Sequence, residues 1–345
     1  MRPLVRIALR GSLKQIRHIT AVPHTEATGL VAEVYDRARR EFGVVAPPLA
    51  LHSPAPEALA ASWLLLRETL LAEGRVSRAA KEAVATAVSR ANDCPYCVEV
   101  HEAKLATLAD DGEHGDSGHG PLTEWAARSG TAAATGQPRP FDDADAPELL
   151  GTAVTFHYLN RMVRLFLPDS PVPGAAPAAG RAPVMRMVAR AMRPDTGAAL
   201  TPGAAAGLLP AAPLPAALRW AAPAPAVADA LARAVASVDA AAERWIPQPV
   251  RDLLHARLAV HDGAPPGPSR AWLDQAADPL DPDHRPAARL ALLTALSPHQ
   301  TTDDDLAAFR AAHPGDRALV ELASWAALTA AVRIGARLTA PAPTR

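Results

Sequence analysis

Apolar residues recur at spacings of three and four between Thr28 and Phe42, which predicts an amphipathic helix over that stretch. Pro47 and Pro48 interrupt the pattern, and a second helical run follows from Glu57 to Leu71. A third begins at Ser77, a suitable N-cap, and continues to about Ala91. Asn92, Asp93 and Pro95 then form a stop-and-restart signal. Either Asn92 or Asp93 suits a cap and Pro95 suits a first helical turn, so a new helix is expected to start at Cys94. Asp110 to Gly120 reads as a loop, and Ala146 to Leu167 returns to helix. From Leu167 to about Val227, Pro, Ala and Gly dominate, which predicts a connector with little packed structure beyond short pieces such as Met185 to Met192. A second helical half runs from Ala228 to Leu338.

The second half resembles the first. A shift of 170 residues lays Arg251-Asp252-Leu253 on Lys81-Glu82-Ala83, Ala264-Pro265-Pro266-Gly267 on Cys94-Pro95-Tyr96-Cys97, and Ala271 on His101. A shift of 173 lays Glu321 to Arg337 on Glu148 to Arg164. Identities are few, and the expectation is a degenerate copy that keeps the scaffold without the thiols. The chain divides accordingly into a basic N-terminal arm (1–25), a chemistry-bearing domain (26–167), a connector (168–227) and the thiol-free repeat (228–338).

Composition agrees with an all-α fold. Aromatic residues make up 4% of the 345 positions, Ala is abundant, and 35 prolines separate the helical runs. Lys and Arg (35) nearly balance Asp and Glu (36), which removes bulk electrostatics as a reason to expect nucleic acid or an acidic membrane as partner. No long uncharged apolar run predicts a membrane span. The basic start (Arg2, Arg6, Arg10, Lys14, Arg17) lacks the apolar run of a secretory signal, and the expected location is the cytoplasm. Asp110, Asp111, His114, Asp116 and His119 suggest a metal site, but a Gly- and Asp-rich stretch without fixed ligand spacing reads as a solvated loop. No Gly-x-Gly-x-x-Gly or phosphate loop predicts a bound nucleotide or flavin.

The chemistry concentrates at one place. The two cysteines of the chain, Cys94 and Cys97, lie three positions apart, a spacing that chance gives on the order of 1% of the time. On a helix starting there, Cys94 and Cys97 are i and i+3, and Cys97 and His101 are i and i+4, so the three share a face. First-turn N–H groups and the helix dipole favour thiolate, and a protonated His101 would favour it further. Thiolate attacks a peroxide or disulfide, and a second cysteine resolves the product. Glu82 lies 12 residues before Cys94, and packing of consecutive helices would bring its carboxylate beneath the cysteines as a partly buried proton acceptor.

Glu82, Cys94, Cys97 and His101 form the pattern Glu-x11-Cys-x2-Cys-x3-His, which resembles the active-site signature of the alkylhydroperoxidase D-like (AhpD-like) branch of the carboxymuconolactone decarboxylase family. Ala91 to His101, and Phe156 to Arg161 with its Asn-Arg ending, resemble further segments of that family. The resemblance implies an all-α, oligomeric antioxidant enzyme that reduces hydroperoxides through a redox-active disulfide. Its electrons would come from an external dithiol, a lipoyl-type reductant or a peroxiredoxin partner, with no further cofactor and no metal. By position it makes Cys97 the peroxidatic thiol, Cys94 the resolving thiol, His101 the neighbouring base and Glu82 the acceptor completing a relay. Helix-dipole reasoning alone favours Cys94 as the more acidic thiol, so the order of the pair stays open. Some relatives carry His where this chain has Tyr96. Three alternatives remain: a zinc shell of two Cys, His and Glu, a lyase acting on a lactone acid, and a helical protein without catalysis. Trp63, Trp125, Trp220, Trp245, Trp272 and Trp325 read as core or interface anchors, and His157 and His299 as structural.

Overall fold

The computed structural model describes residues 13–110, 119–172, 178–192 and 199–340. The first twelve residues of the basic arm and Asp111, His114 and Asp116 of the acidic loop lie outside the described residues. Among the described residues the fold is all-α, with no strand. In the first half, α1 spans Gly29–Glu41, α2 Pro56–Leu66, α3 Arg78–Ala91, α4 Pro95–Asp110, α5 Gly120–Arg128 and α6 Ala146–Phe166. Helix α7 (Ala178–Ala191) lies in the predicted connector. The second half holds α8 (Pro225–Glu243), α9 (Gln248–Val260), α10 (Ala271–Ala277), α11 (Arg285–Leu296), α12 (Asp303–Ala312) and α13 (Asp316–Leu338).

Local chemistry explains the boundaries of the helices that carry the site. Ser77 accepts from the Ala80 N–H and caps α3, as its position predicts. At the far end, Asn92 is the C-cap of α3, and Asp93 follows with φ +48, the left-handed conformation that closes a helix. Neither therefore caps α4. The Asn92 amide turns instead to His157 and Asn160, and Pro95 occupies the first turn of α4, where its missing N–H costs nothing. The Glu57–Leu71 run is one α-helix ending in a π-turn over Arg67–Leu71. Thr152 of α6 donates to Thr69 O in that turn.

The two halves share one core. Helix α6 packs along α13, and α2 along α8, with Trp63 and Trp325 buried in a cluster that continues through both halves. Gly335 makes the α6–α13 approach possible, since a Cβ there would meet Val154 Cγ2 at 2.8 Å. Helix α13 is long and apolar enough to cross a membrane, but most of it is buried, as befits the central helix of a helical body.

The segment 168–227 is more packed than its Pro, Ala and Gly content predicts. Leu208, Leu209, Leu218 and Ala221 are buried in the shared core, and α7 lies against α4, where Lys104 Nζ donates to Ala189 O and Met192 O. The Gly203 N–H donates to Glu68, and Arg67 to Thr201 O. Small residues lower local propensity but also permit close packing, and the buried Arg67 and Glu68 of the π-turn after α2 anchor the backbone. The described part of the N-terminal arm is likewise laid onto the body, with the Arg17 N–H donating to Phe166 O and the Thr20 N–H to Asp316.

Each half ends on a long helix, α6 or α13, although three helices separate α9 from α13 and two separate α3 from α6. Glu148 and Glu321, both buried near the start of a long helix, draw donors from matching segments. Glu148 pairs with Lys81 at 2.6 Å and accepts the Arg75 and Val76 N–H groups, while Glu321 accepts from Arg244 and the Trp245 indole. The parallel fails at the thiol position. Opposite the long helix α4 stands an irregular stretch at residues 261–270 followed by the single short helix α10. Pro265, Pro266 and Gly267 withhold donors and weaken helix there. Asp252, which the 170-residue shift lays on Glu82, is exposed, and among the described residues it accepts from Gln248.

Candidate active site

The four residues of the sequence pattern form two pairs. Cys94 and Cys97 are free thiols buried at the start of α4, fully for Cys94 and 5% exposed for Cys97, and they share a hydrogen bond. Further along the same helix, His101 Nδ1 lies 2.6 Å from Glu82 Oε2, which reaches across from α3. Glu82 is completely buried, and its other oxygen accepts from Arg78 Nε at 2.9 Å and Nη2 at 2.6 Å. Phe156 of α6 packs its ring edge-on to His101, with centroids 4.6 Å apart.

The surroundings of Glu82 set its charge. Burial by itself would push its pKa up, but the Arg78 charge and the His101 bond outweigh burial and hold it down to about 2. Its anionic form is favoured, and it accepts a hydrogen bond from His101. A carboxylate on Nδ1 sets the imidazole tautomer, so Nδ1 carries hydrogen and Nε2 is left to exchange a proton. Sequence reasoning missed Arg78, although its spacing four residues before Glu82 is readable as a helix-surface pair.

Cys97 departs from the helix-dipole expectation. Burial is the largest influence on Cys97 and raises its pKa, and the hydrogen bond with Cys94 and that neighbour's charge add to the effect. A side-chain hydrogen bond from Asn160 and the charge of Arg164, both on α6, pull the other way. A dipole at a helix N-terminus contributes only fractions of a charge, which does not offset removal of a thiolate from water. In the packed arrangement Cys97 is a thiol, with groups in place that favour its anion.

Asn160 belongs to a chain of buried polar groups. Its Oδ1 accepts from the Asn92 amide at 2.9 Å and its Nδ2 donates to Ser89 at 3.1 Å. Asn92 also lies 3.0 Å from His157 Nδ1, and His157 Nε2 lies 2.8 Å from Ser129 Oγ, whose own hydrogen goes to Ala126 O. Those partners require a neutral His157 with hydrogen on Nε2. Burial first, then Arg161 and Arg337, keep its pKa well below the ordinary histidine value. His157 thus orients Asn92, which orients Asn160 against Cys97. The Asn160–Cys97 contact joins residues more than sixty positions apart, so spacing within one helix gave no signal for it.

A mainly apolar cavity of about 510 Å³ opens beside the site. Tyr96, Val100 and His101 of α4 and Leu159 of α6 line its inner end, and Val184, Met187 and Val188 of α7 its outer part. Among the described residues no group of three or more His, Cys, Asp or Glu side chains converges as ligands of one ion. The pairing of Glu82 with His101 and of Cys94 with Cys97 places the four residues in two separate contacts.

The profile of the carboxymuconolactone decarboxylase family matches residues 57–110, a stretch that holds all four residues. An alkyl hydroperoxide reductase of Mycobacterium tuberculosis is 40% identical to this chain across 96% of the chain and 97% of its own length.

Proposed function

The chain belongs to the AhpD-like branch of the carboxymuconolactone decarboxylase family, and from that premise we propose that it is a thiol-dependent peroxidase for apolar hydroperoxides. The observation that carries the reading is the sharing of α4 by a hydrogen-bonded cysteine pair and a histidine fixed by a buried carboxylate. Burying the Glu82 carboxylate is costly, and its bonds to Arg78 and His101 are what offset that cost and hold the imidazole in place.

In the proposed cycle His101 Nε2 takes the Cys97 proton, while Asn160 and Arg164 support the thiolate. Cys97 Sγ attacks the distal peroxide oxygen. The S–O bond forms, the O–O bond breaks, and the alkoxide takes the proton back from His101 and leaves as the alcohol. Cys94 then attacks the Cys97 sulfenic acid, which forms the disulfide and releases water. An external dithiol, of lipoyl type or on a peroxiredoxin partner, reduces the disulfide by exchange. The apolar cavity ending at His101 suits an alkyl chain, and this supports an organic hydroperoxide as substrate. We read the second half as a degenerate copy that walls the site from one side, giving one redox centre per chain.

The test follows peroxide consumption with a dithiol donor in wild type, Cys94→Ser and Cys97→Ser. Loss of turnover in both variants is expected, with sulfenic acid trapped on Cys97 in Cys94→Ser. Turnover that survives removal of either cysteine would overturn the mechanism, and sulfenic acid trapped only on Cys94 would reverse the thiol order.

A further inference from the structure

A cavity of about 170 Å³, with Asn160 in its wall, lies between the two halves. Arg161, Arg164, Arg333 and Arg337 line it, with His261 and His299. Arg164 is balanced, with Asp169 at 2.6 Å and Asp93 at 3.5 Å. The other three guanidiniums have no carboxylate partner among the described residues and donate only to backbone carbonyls. Arg161 reaches Ala295 O at 2.8 Å and His157 O at 2.6 Å, Arg333 reaches Ala259 O at 3.2 Å, and Arg337 reaches His261 O and Gly130 O. The Arg337 Nε is buried with no acceptor.

These charges press on one another. Burial, then Arg337, lowers the Arg161 pKa to about 10, and burial, then Arg333, lowers that of Arg337. The one acid that acts on Arg337 is Asp262. His261 stays uncharged, since burial and the two arginines outweigh its attraction to Asp262. Four guanidiniums against Asp93, Asp169 and Asp262 leave a net positive charge in a small, partly enclosed space. Carbonyl caps satisfy N–H groups but do not neutralise charge.

We infer that this cavity is a binding site for a small dianion, either a phosphate group or a dicarboxylate, held by Arg161, Arg333 and Arg337. Both ligands present two negative charges to guanidiniums that line one cavity, and planar guanidinium groups suit such oxygens. The site draws its donors from α6 and α13, one from each half, so an occupant would tie the halves together beside the Asn92–Asn160 contact. The inference rests on packing and charge and is independent of the peroxidase reading.

Calorimetric titration and thermal unfolding of the full chain with inorganic phosphate, with succinate, and with chloride at equal ionic strength would test it. Phosphate or succinate is expected to bind and to raise the melting temperature beyond the chloride control, and the one that binds more tightly identifies the ligand source. Arg333→Gln is exposed and bonds a single carbonyl, so it should fold, and it is expected to weaken dianion binding about tenfold or more. Arg333→Lys should recover part of the loss. Equal responses to all three salts, or an unchanged response in Arg333→Gln, would overturn the site and leave the arginines as carbonyl caps.

Discussion

Replacing Glu82 by Gln removes one charge from the centre of the site while keeping nearly the same shape. The carboxylate is held at about 2 against an ordinary 4.5, which corresponds to about 3 kcal/mol of interaction favouring the folded state. Arg78 is 22% exposed, so solvent screens part of that interaction, and Glu82→Gln is expected to cost about 2–3 kcal/mol at neutral pH. A carboxylate whose folded pKa is depressed stabilises above its unfolded pKa and loses that contribution as pH falls through the folded pKa. Glutamine does not titrate. The stability gap between wild type and variant should therefore be full above pH 4.5 and close as pH falls toward about 2. Urea unfolding of both proteins at several pH values between about 6 and 3 measures this gap. Peroxide turnover should also fall about 100-fold or more, because His101 loses the partner that fixes its tautomer. A gap that stays constant down to about pH 3 would refute the assignment of Glu82 as a buried carboxylate paired with Arg78 and His101.

Other perturbations separate the site from the scaffold. Asn160→Ala removes the side chain that favours the Cys97 anion, so alkylation of Cys97 by iodoacetamide at neutral pH should slow about tenfold; an unchanged rate would remove Asn160 from the mechanism. Glu148→Ala strands Lys81, which is 2% exposed, and should cost about 3–5 kcal/mol in urea unfolding. Met185→Lys places a charge on the wall of the apolar cavity and should raise KM for a long-chain alkyl hydroperoxide about tenfold while sparing hydrogen peroxide; equal effects on both would detach the cavity from substrate binding.

Much of the fold was readable from local pattern because helix signals are local. The runs at Thr28, Ser77 and Ala146 became α1, α3 and α6, and Ser77 caps α3 as its type predicts. The restart at the cysteines was also readable, but its cap was not. Asn92 has two uses for one amide, and partners on α6, out of sequence reach, claim it. The segment 168–227 was read as loosely packed because composition reports propensity, whereas its burial depends on acceptors such as Glu68 in the π-turn after α2.

The sequence by itself placed Cys97 and His101 on one helix, with Cys94 at its start. Cys94, Cys97 and His101 share a face through the geometry of the backbone, and that geometry needs no information beyond their spacing. Ionisation was decided only by the tertiary structure. The tertiary structure places Glu82 between Arg78 and His101, which hold its pKa down, and buries Cys97, which raises the pKa of its thiol. The excess positive charge between the halves exists only because α6 and α13 pack together. Burial and charge proximity depend on contacts between distant segments, and no residue spacing encodes them.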